Sequence, residues 1–218
     1  FWKNGFQEVL SPKKQTILLE KFRIDPEKNP ISTPSGKIEI FSETVDSFNY
    51  EDCPGHPAWL EQEEWLGSNL TKQYPLQLIS GQPHNRLHSQ LDNGSESQNY
   101  KILGREPIKI HPQDAQTRRL VNGDIVEVFN KRGKCLAGVI VSNEVMKGVV
   151  FLPVGAWYDP INDGEFCIHG NPNVLTEDIG TSSLAQGPSA HSTLVEIKKY
   201  TKELPEINIF HKPNIVNK

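Results

Sequence analysis

Six polar side chains crowd into seven positions of one short segment: His84, Asn85, Arg86, His88, Ser89 and Gln90. They follow Gly81-Gln82-Pro83, which comes directly after the apolar run Leu76-Gln77-Leu78-Ile79-Ser80. A strand that runs straight into a loop so dense in hydrogen-bonding groups needs a polar object to hold. Arg86 offers a fork of donors suited to phosphate, and His84, His88 and Ser89 add single donors. Gly81 lets backbone come close to a ligand. The loop therefore points to a nucleotide-like cofactor. The spacing of His84 and His88 would suit a metal if both lay on one helix face. Gly81 and Pro83 argue for a loop instead, and no third ligand of suitable type stands nearby.

A second polar cluster lies far along the chain. It runs His169-Gly170-Asn171-Pro172-Asn173-Val174-Leu175-Thr176, then Asp178, Gly180-Thr181-Ser182 and Gln186-Gly187. Carboxylate and amide groups accept from ring N–H and exocyclic amines, so Asp and Asn are natural readers of a purine edge or a pterin. The same composition also makes ordinary Asn/Gly/Pro loops. The triplets Asn69-Leu70-Thr71 and Asn93-Gly94-Ser95 match glycosylation acceptors, a pattern that arises readily by chance. There is no Walker sequence, no glycine-rich dinucleotide fingerprint after a strand, no serine nucleophile elbow and no defensible pair of catalytic carboxylates. That combination suits a binding domain belonging to an enzyme.

The elements that must position these loops are mostly strands. Val, Ile and Phe dominate Leu76–Ser80, Pro107–Ile110, Ile125–Asn130, Lys134–Ser142, Gly148–Leu152 and Thr193–Lys198, which predicts a compact β-rich domain over residues 73–200. Lys131-Arg132-Gly133-Lys134 reads as a hairpin turn. One short helix is expected between Ile110 and Ile125. Pro112 and Asp114 suit its start, and Arg118 and Arg119 suit its end. A further helical turn is expected at Thr181–Ala185. Residues 1–72 are broken by Pro12, Pro26, Pro30, Pro34, Pro54 and Pro57, and their aromatics follow no period. A short strand at Lys37–Phe41, a Ser42-capped helix at Glu43–Phe48 and a helical turn at Glu61–Leu66 are expected there. The segment reads as an irregular extension whose aromatics anchor it on a neighbouring surface. Residues 201–218, with Pro205 and Pro213, read as an extended tail.

With 218 residues, a formal net charge of −4 and a mean hydropathy of −0.51, the chain has no general pull toward nucleic acid. No apolar run approaches the ~18 residues needed for a membrane-spanning helix. Cys53, Cys135 and Cys167 form neither a metal-ligand spacing nor a disulfide framework, and read as small buried or half-buried thiols. The start, Phe-Trp-Lys-Asn, reads as that of a fragment of something larger.

Several motifs in order resemble the dimethyl sulfoxide reductase family of molybdenum enzymes. They are Ser80-Gly81-Gln82-Pro83-His84-Asn85-Arg86-Leu87-His88-Ser89-Gln90, His111-Pro112-Gln113-Asp114-Ala115, Val121-Asn122-Gly123-Asp124-Ile125-Val126 with Asn130-Lys131-Arg132-Gly133, and Gly170 to Gly187. Thr33-Pro34-Ser35-Gly36-Lys37-Ile38-Glu39 is a similar element upstream. The branch of N-oxide and biotin sulfoxide reductases is the nearest in pattern. The resemblance covers nearly the whole chain. It implies a C-terminal molybdopterin-dinucleotide-binding domain built as a six-stranded double-psi β-barrel. It implies a parent enzyme that reduces N-oxides or S-oxides with bis(molybdopterin guanine dinucleotide), its metal ligated by a serine upstream of these residues. By carry-over, His84, Arg86, Leu87, His88, Ser89 and Gln90 contact pterin or pyrophosphate. Asn171, Asn173, Asp178, Gln186 and Gly187 contact the cofactor from the second loop. No catalytic residue and no metal ligand is assigned to this chain, which alone is expected to be inactive. The implied partners are the cofactor and the upstream catalytic domains, with no nucleic acid and no membrane insertion. The implied compartment is the periplasm, with the cytoplasm as the alternative. Two other readings compete: a non-enzymatic barrel adaptor for a nucleotide or peptide, and a zinc hydrolase built on His84 and His88.

Overall fold

The computed structural model describes residues 2–8, 16–161, 164 and 166–212; Pro12 and Pro213 lie outside them. The chain divides into two compact units, Phe1–Trp59 and Leu60–Lys218.

In the first unit, two short helices form, α1 (Glu20–Ile24) and α2 (Glu43–Asp46). Ser42 caps α2 as expected, its hydroxyl accepting from Val45 N at 3.3 Å. None of the large apolar side chains described in this unit is buried. The strand expected at Lys37–Phe41 does not form. No neighbouring strand pairs with it, and Ser35 N turns instead to the Glu39 carboxylate at 2.8 Å.

The second unit is built on a closed barrel. Its strands are β1 (Leu76–Ile79), β2 (Pro107–Ile110), β3 (Ile125–Phe129), β4 (Lys134–Val141), β5 (Val149–Phe151) and, after two short strands β6 (Pro160–Ile161) and β7 (Phe166–Cys167), β8 (Leu194–Lys199). The order is β2-β5-β1-β8-β3-β4, and β4 returns to β2 to close the ring. This is the six-stranded double-psi barrel that the resemblance implies. Two of its pairings, β1 with β5 and β2 with β4, are parallel; the rest of the ring is antiparallel. Strand β4 is eight residues long because it serves two neighbours on one edge. Its start pairs with β7 and its end with β2.

Side-chain alternation decides what fills the barrel. Leu76 and Leu78, Ile108 and Ile110, Val126 and Val128, Cys135, Ala137 and Val139, and Val195 and Ile197 form one buried core. The intervening Ile125 and Leu136 face a second cluster with Phe166 and Ile168. Both Cys135 and Cys167 are therefore packing groups, and burial pushes the Cys135 thiol well up.

Helix α4 (Pro112–Thr117) sits where the sequence puts it, with Pro112 in its first turn and His111 as its cap. Its Asp114 also accepts from Gly148 N at 2.6 Å, which ties the helix to the turn before β5. Helix α3 (Ser95–Tyr100) carries no sequence signal beyond Gly94 at its cap. The helical turn expected at Glu61–Leu66 is instead a 3-10 turn at Asn69–Lys72. Bends replace the helical turn expected at Thr181–Ala185.

The compact unit that holds the barrel begins at Leu60. Glu64 ties residues ahead of β1 to it: the side chain is buried and accepts from Arg132 at 2.6 and 2.8 Å and from Leu194 N at 2.8 Å. Burial works to raise the Glu64 carboxyl, but the Arg132 guanidinium and the Leu194 N–H outweigh it and hold the group below its ordinary value. The tail also belongs to this unit. Asn208 N and Ile209 N donate to Asp159 Oδ2 at 2.7 and 3.1 Å, and Phe210 packs on Trp157 and His169.

Candidate cofactor site

Because β1 and β5 run parallel, with Ile79 opposite Phe151, their following loops leave the barrel side by side. The pairing continues into the loops: Leu152 N donates to Ile79 O and Val154 N to Gly81 O, both at 3.0 Å. Loop 80–91 and loop 152–158 thus form adjoining walls. Gly155 (φ +94°) lies so close to its neighbour that a Cβ there would stand 1.7 Å from the His88 carbonyl oxygen. His88 itself holds a left-handed conformation, φ +51°, which costs a non-glycine residue energy and needs surrounding structure to enforce it.

Beneath these walls lies a buried ionic cluster. Arg86 Nη2 meets Glu106 Oε1 at 3.0 Å and donates to Val154 O at 2.8 Å. Its Nη1 donates to Ser97 Oγ at 3.2 Å and stands 3.7 Å from Asp92. Lys101 Nζ bridges Asp92 and Glu106, both at 2.8 Å. Trp157 N donates to Asp92 Oδ2 at 2.8 Å, and the Trp157 indole N–H donates to Ser89 O at 2.7 Å. The cluster therefore pins each wall to the other and both to the start of β2.

Burial works to raise the Asp92 carboxyl, but Lys101 and the Trp157 N–H hold it below its ordinary value. Burial pushes the His169 imidazole down, and Lys101 adds to the effect. Neutral His169 donates from Nδ1 to Trp157 O at 2.9 Å. Both groups bind fewer protons folded than unfolded, so acid must destabilise the unit. The His169 share is lost as pH falls below about 6.5, and the Asp92 share follows below about 4. Urea midpoints should therefore fall between about pH 7.5 and 5.5, and the fall should be smaller in His169→Gln.

Between the walls opens a cavity of about 800 Å3, lined by Ser80, Gly81, Gln82, His88, Ser89, Val154 to Tyr158, Asn171, Asn173, Pro188, Ala190 and His191. Four of the expected contact residues meet here: His88, Ser89, Asn171 and Asn173. Arg86 does not. Its side chain is fully buried in the ionic cluster, where both terminal nitrogens are already engaged, so it is a strut for the loop and not a free phosphate donor. His84 faces a different cavity of about 410 Å3, beside Ile79, Lys109 and Phe151, so the two loop histidines do not converge. Leu87 and Gln90 are exposed and turn the loop by a Gln90 N to Leu87 O bond of 2.9 Å. Asp178, Gln186 and Gly187 are exposed and do not line the cavity. Gln186 spends its amide N–H on Ser182 O at 2.9 Å.

Residues Val154 to Tyr158 and His191 were not singled out from sequence. A Gly-Ala-Trp-Tyr run after a strand was the available signal; its meaning depends on the parallel pairing of β1 with β5.

The lining suits a planar heterocycle. Asn171 Oδ1 caps the Pro172–Val174 turn by accepting from Asn173 N at 2.9 Å, which leaves its NH2 group as a donor. Ser89 and Gln82 add a hydroxyl and an amide, and Trp157 and Tyr158 add flat apolar faces. Among the described residues, no Lys or Arg lines this cavity. Neutral hydrogen-bonding groups between aromatic faces match the edges of a pterin or guanine.

Strand-end loops of the closed double-psi barrel enclose this cavity, and its lining suits a nucleotide-like cofactor. The chain belongs to the molydopterin dinucleotide binding domain family, which matches residues 76–194. Relatives extend the likeness beyond that span. Trimethylamine-N-oxide reductase of Haemophilus influenzae is 49% identical over 207 residues, covering 93% of this chain and 25% of that protein. Trimethylamine-N-oxide reductase 1 of Escherichia coli K12 is 48% identical over 212 residues, covering 95% and 25%. This chain thus spans about a quarter of the length of either relative. Among solved structures, acetylene hydratase from Pelobacter acetylenicus matches 81% of this chain with a TM-score of 0.64 at 21% identity, over 25% of its own length. That likeness concerns the fold alone. The resemblance to the dimethyl sulfoxide reductase family is borne out. No helix among the described residues is long and apolar enough to cross a membrane.

Proposed function

We propose that this chain is the C-terminal cofactor-binding part of a molybdenum oxotransferase that reduces N-oxides or S-oxides. The carrying observation is near-50% identity to trimethylamine-N-oxide reductases along almost the whole chain. The cofactor is bis(molybdopterin guanine dinucleotide), and when bound it supplies the two-electron oxygen-atom transfer. The residues here bind and orient it. His88, Ser89, Asn171 and Asn173 hydrogen-bond its ring edges, Trp157 and Tyr158 flank it, and the Arg86 cluster holds the walls at the right separation. The upstream catalytic domains of the parent enzyme complete the site and supply charges that this cavity lacks.

The test uses the full-length parent. It should contain molybdenum, release guanine nucleotide on acid hydrolysis and reduce trimethylamine N-oxide with a reduced dye as electron donor. The 218-residue chain alone should show no turnover. A parent free of molybdenum and guanine, or turnover by the isolated chain, would overturn the reading.

A further inference from the structure

Past β8, residues 201–212 form neither strand nor helix, so their backbone must find partners elsewhere. Two of those partners are buried and charged. Arg105, just ahead of β2, donates from Nη2 to the Pro205 carbonyl. Asp159, just ahead of β6, accepts through one oxygen from Asn208 N at 2.7 Å and from Ile209 N at 3.1 Å. Hydrogen bonds to ionised groups are stronger than neutral ones. Between these two pins, Ile207 packs against the second core cluster. His211 N then closes a turn onto Asn208 O at 2.9 Å, and Phe210 lies inside that turn.

Phe210 meets two rings. Its centroid stands 5.3 Å from that of Trp157 and 5.0 Å from that of His169, the second contact edge to face. Both neighbours serve the cavity wall. His169 Nδ1 bonds the Trp157 carbonyl at 2.9 Å. The Trp157 indole N–H reaches Ser89 O, on the opposite wall, at 2.7 Å. Trp157 is only half-buried, so without a neighbour its side chain has other staggered rotamers open to it. Phe210, packed on the indole, takes that freedom away and keeps the N–H on Ser89 O.

We propose that the tail is a strap for the cavity, with Phe210 as a positioning residue that acts through Trp157. Docked, the strap holds the indole on Ser89 O and keeps the two walls joined. Released, it frees the indole and loosens that join. The strap itself does not depend on the cofactor reading above; its effect on a ligand rests on it.

The experiment uses the isotopically labelled 218-residue chain, with GDP as the probe. In Phe210→Ala, the Trp157 Nε1–H resonance should move toward that of a solvated indole and exchange about tenfold faster, while the core amides of Val128 and Leu136 exchange as before. The same variant should bind GDP about fivefold more weakly. Phe210→Tyr, which keeps the ring, should restore the resonance, the exchange rate and the affinity. Asp159→Asn keeps the shape of the wall but drops the charge that holds the strap. It should move the Asn208 and Ile209 amides, and the indole signal in the same direction as Phe210→Ala. Four results overturn the proposal and leave the cofactor reading intact: an unchanged indole signal in Phe210→Ala, faster exchange spread evenly over the core amides, no rescue by tyrosine, or unchanged GDP affinity. An indole response in Phe210→Ala with no wild-type response to GDP would support the strap and remove the cofactor reading instead.

Discussion

Replacing Arg86 with methionine should lower the unfolding free energy by about 3–5 kcal/mol, the usual cost of orphaning a buried charge. The guanidinium is one of two cations balancing two carboxylates in a space closed to water. Without it, Lys101 alone must balance both Asp92 and Glu106, and the Val154 carbonyl loses its donor. Arg86→Lys should restore little, because one ammonium cannot reach Ser97, Glu106 and Val154 O from a single fork position. Urea unfolding followed by tryptophan emission measures this directly. If Arg86 were instead an exposed phosphate ligand, the methionine variant would keep its stability and lose only ligand affinity. A destabilisation under about 1 kcal/mol would sustain that view and contradict the buried-strut role.

Gly155→Ala should be the second costly substitution, and it should act on the cavity itself. The new methyl would stand 1.7 Å from the His88 carbonyl oxygen, and φ is +94°. Gly123→Ala separates the two effects. It has φ +87° but nothing within 4 Å of a Cβ, so it carries backbone strain alone, about 1–2 kcal/mol. The Gly155 variant should exceed that by at least about 2 kcal/mol and should shift the amides of His88 and Ser89. Equal effects at the two glycines would mean that the walls are not held in contact.

The barrel was legible because its signal is local. Alternating or continuous Val, Ile and Leu mark all six ring strands to within a residue or so at either end, and Lys131–Gly133 marks the hairpin. The two-residue strands β6 and β7 were not legible, since such short elements exist only by pairing with each other and with β4. The site was half legible. Polar crowding identified the loop after β1, and Asn171 and Asn173 followed from the second cluster. Sequence cannot say whether a loop arginine points in or out. Here Asp92, Glu106 and the Val154 carbonyl turn Arg86 inward, and those partners come from different parts of the chain. Trp157 and His191 enter the site through non-local pairings, β1 with β5 and β1 with β8, that no short window displays.

The claim at the centre is our proposal that this cavity receives part of a molybdopterin dinucleotide. The most direct measurement is an amide-shift titration of the labelled chain with GDP, with ADP as control. Affinity should be near millimolar, about 4 kcal/mol. Shifts confined to Ser89, Gly155–Tyr158, Asn171–Asn173 and His191, and weaker with ADP, are the predicted result. No shift at those positions, or an equal response to ADP, would contradict it.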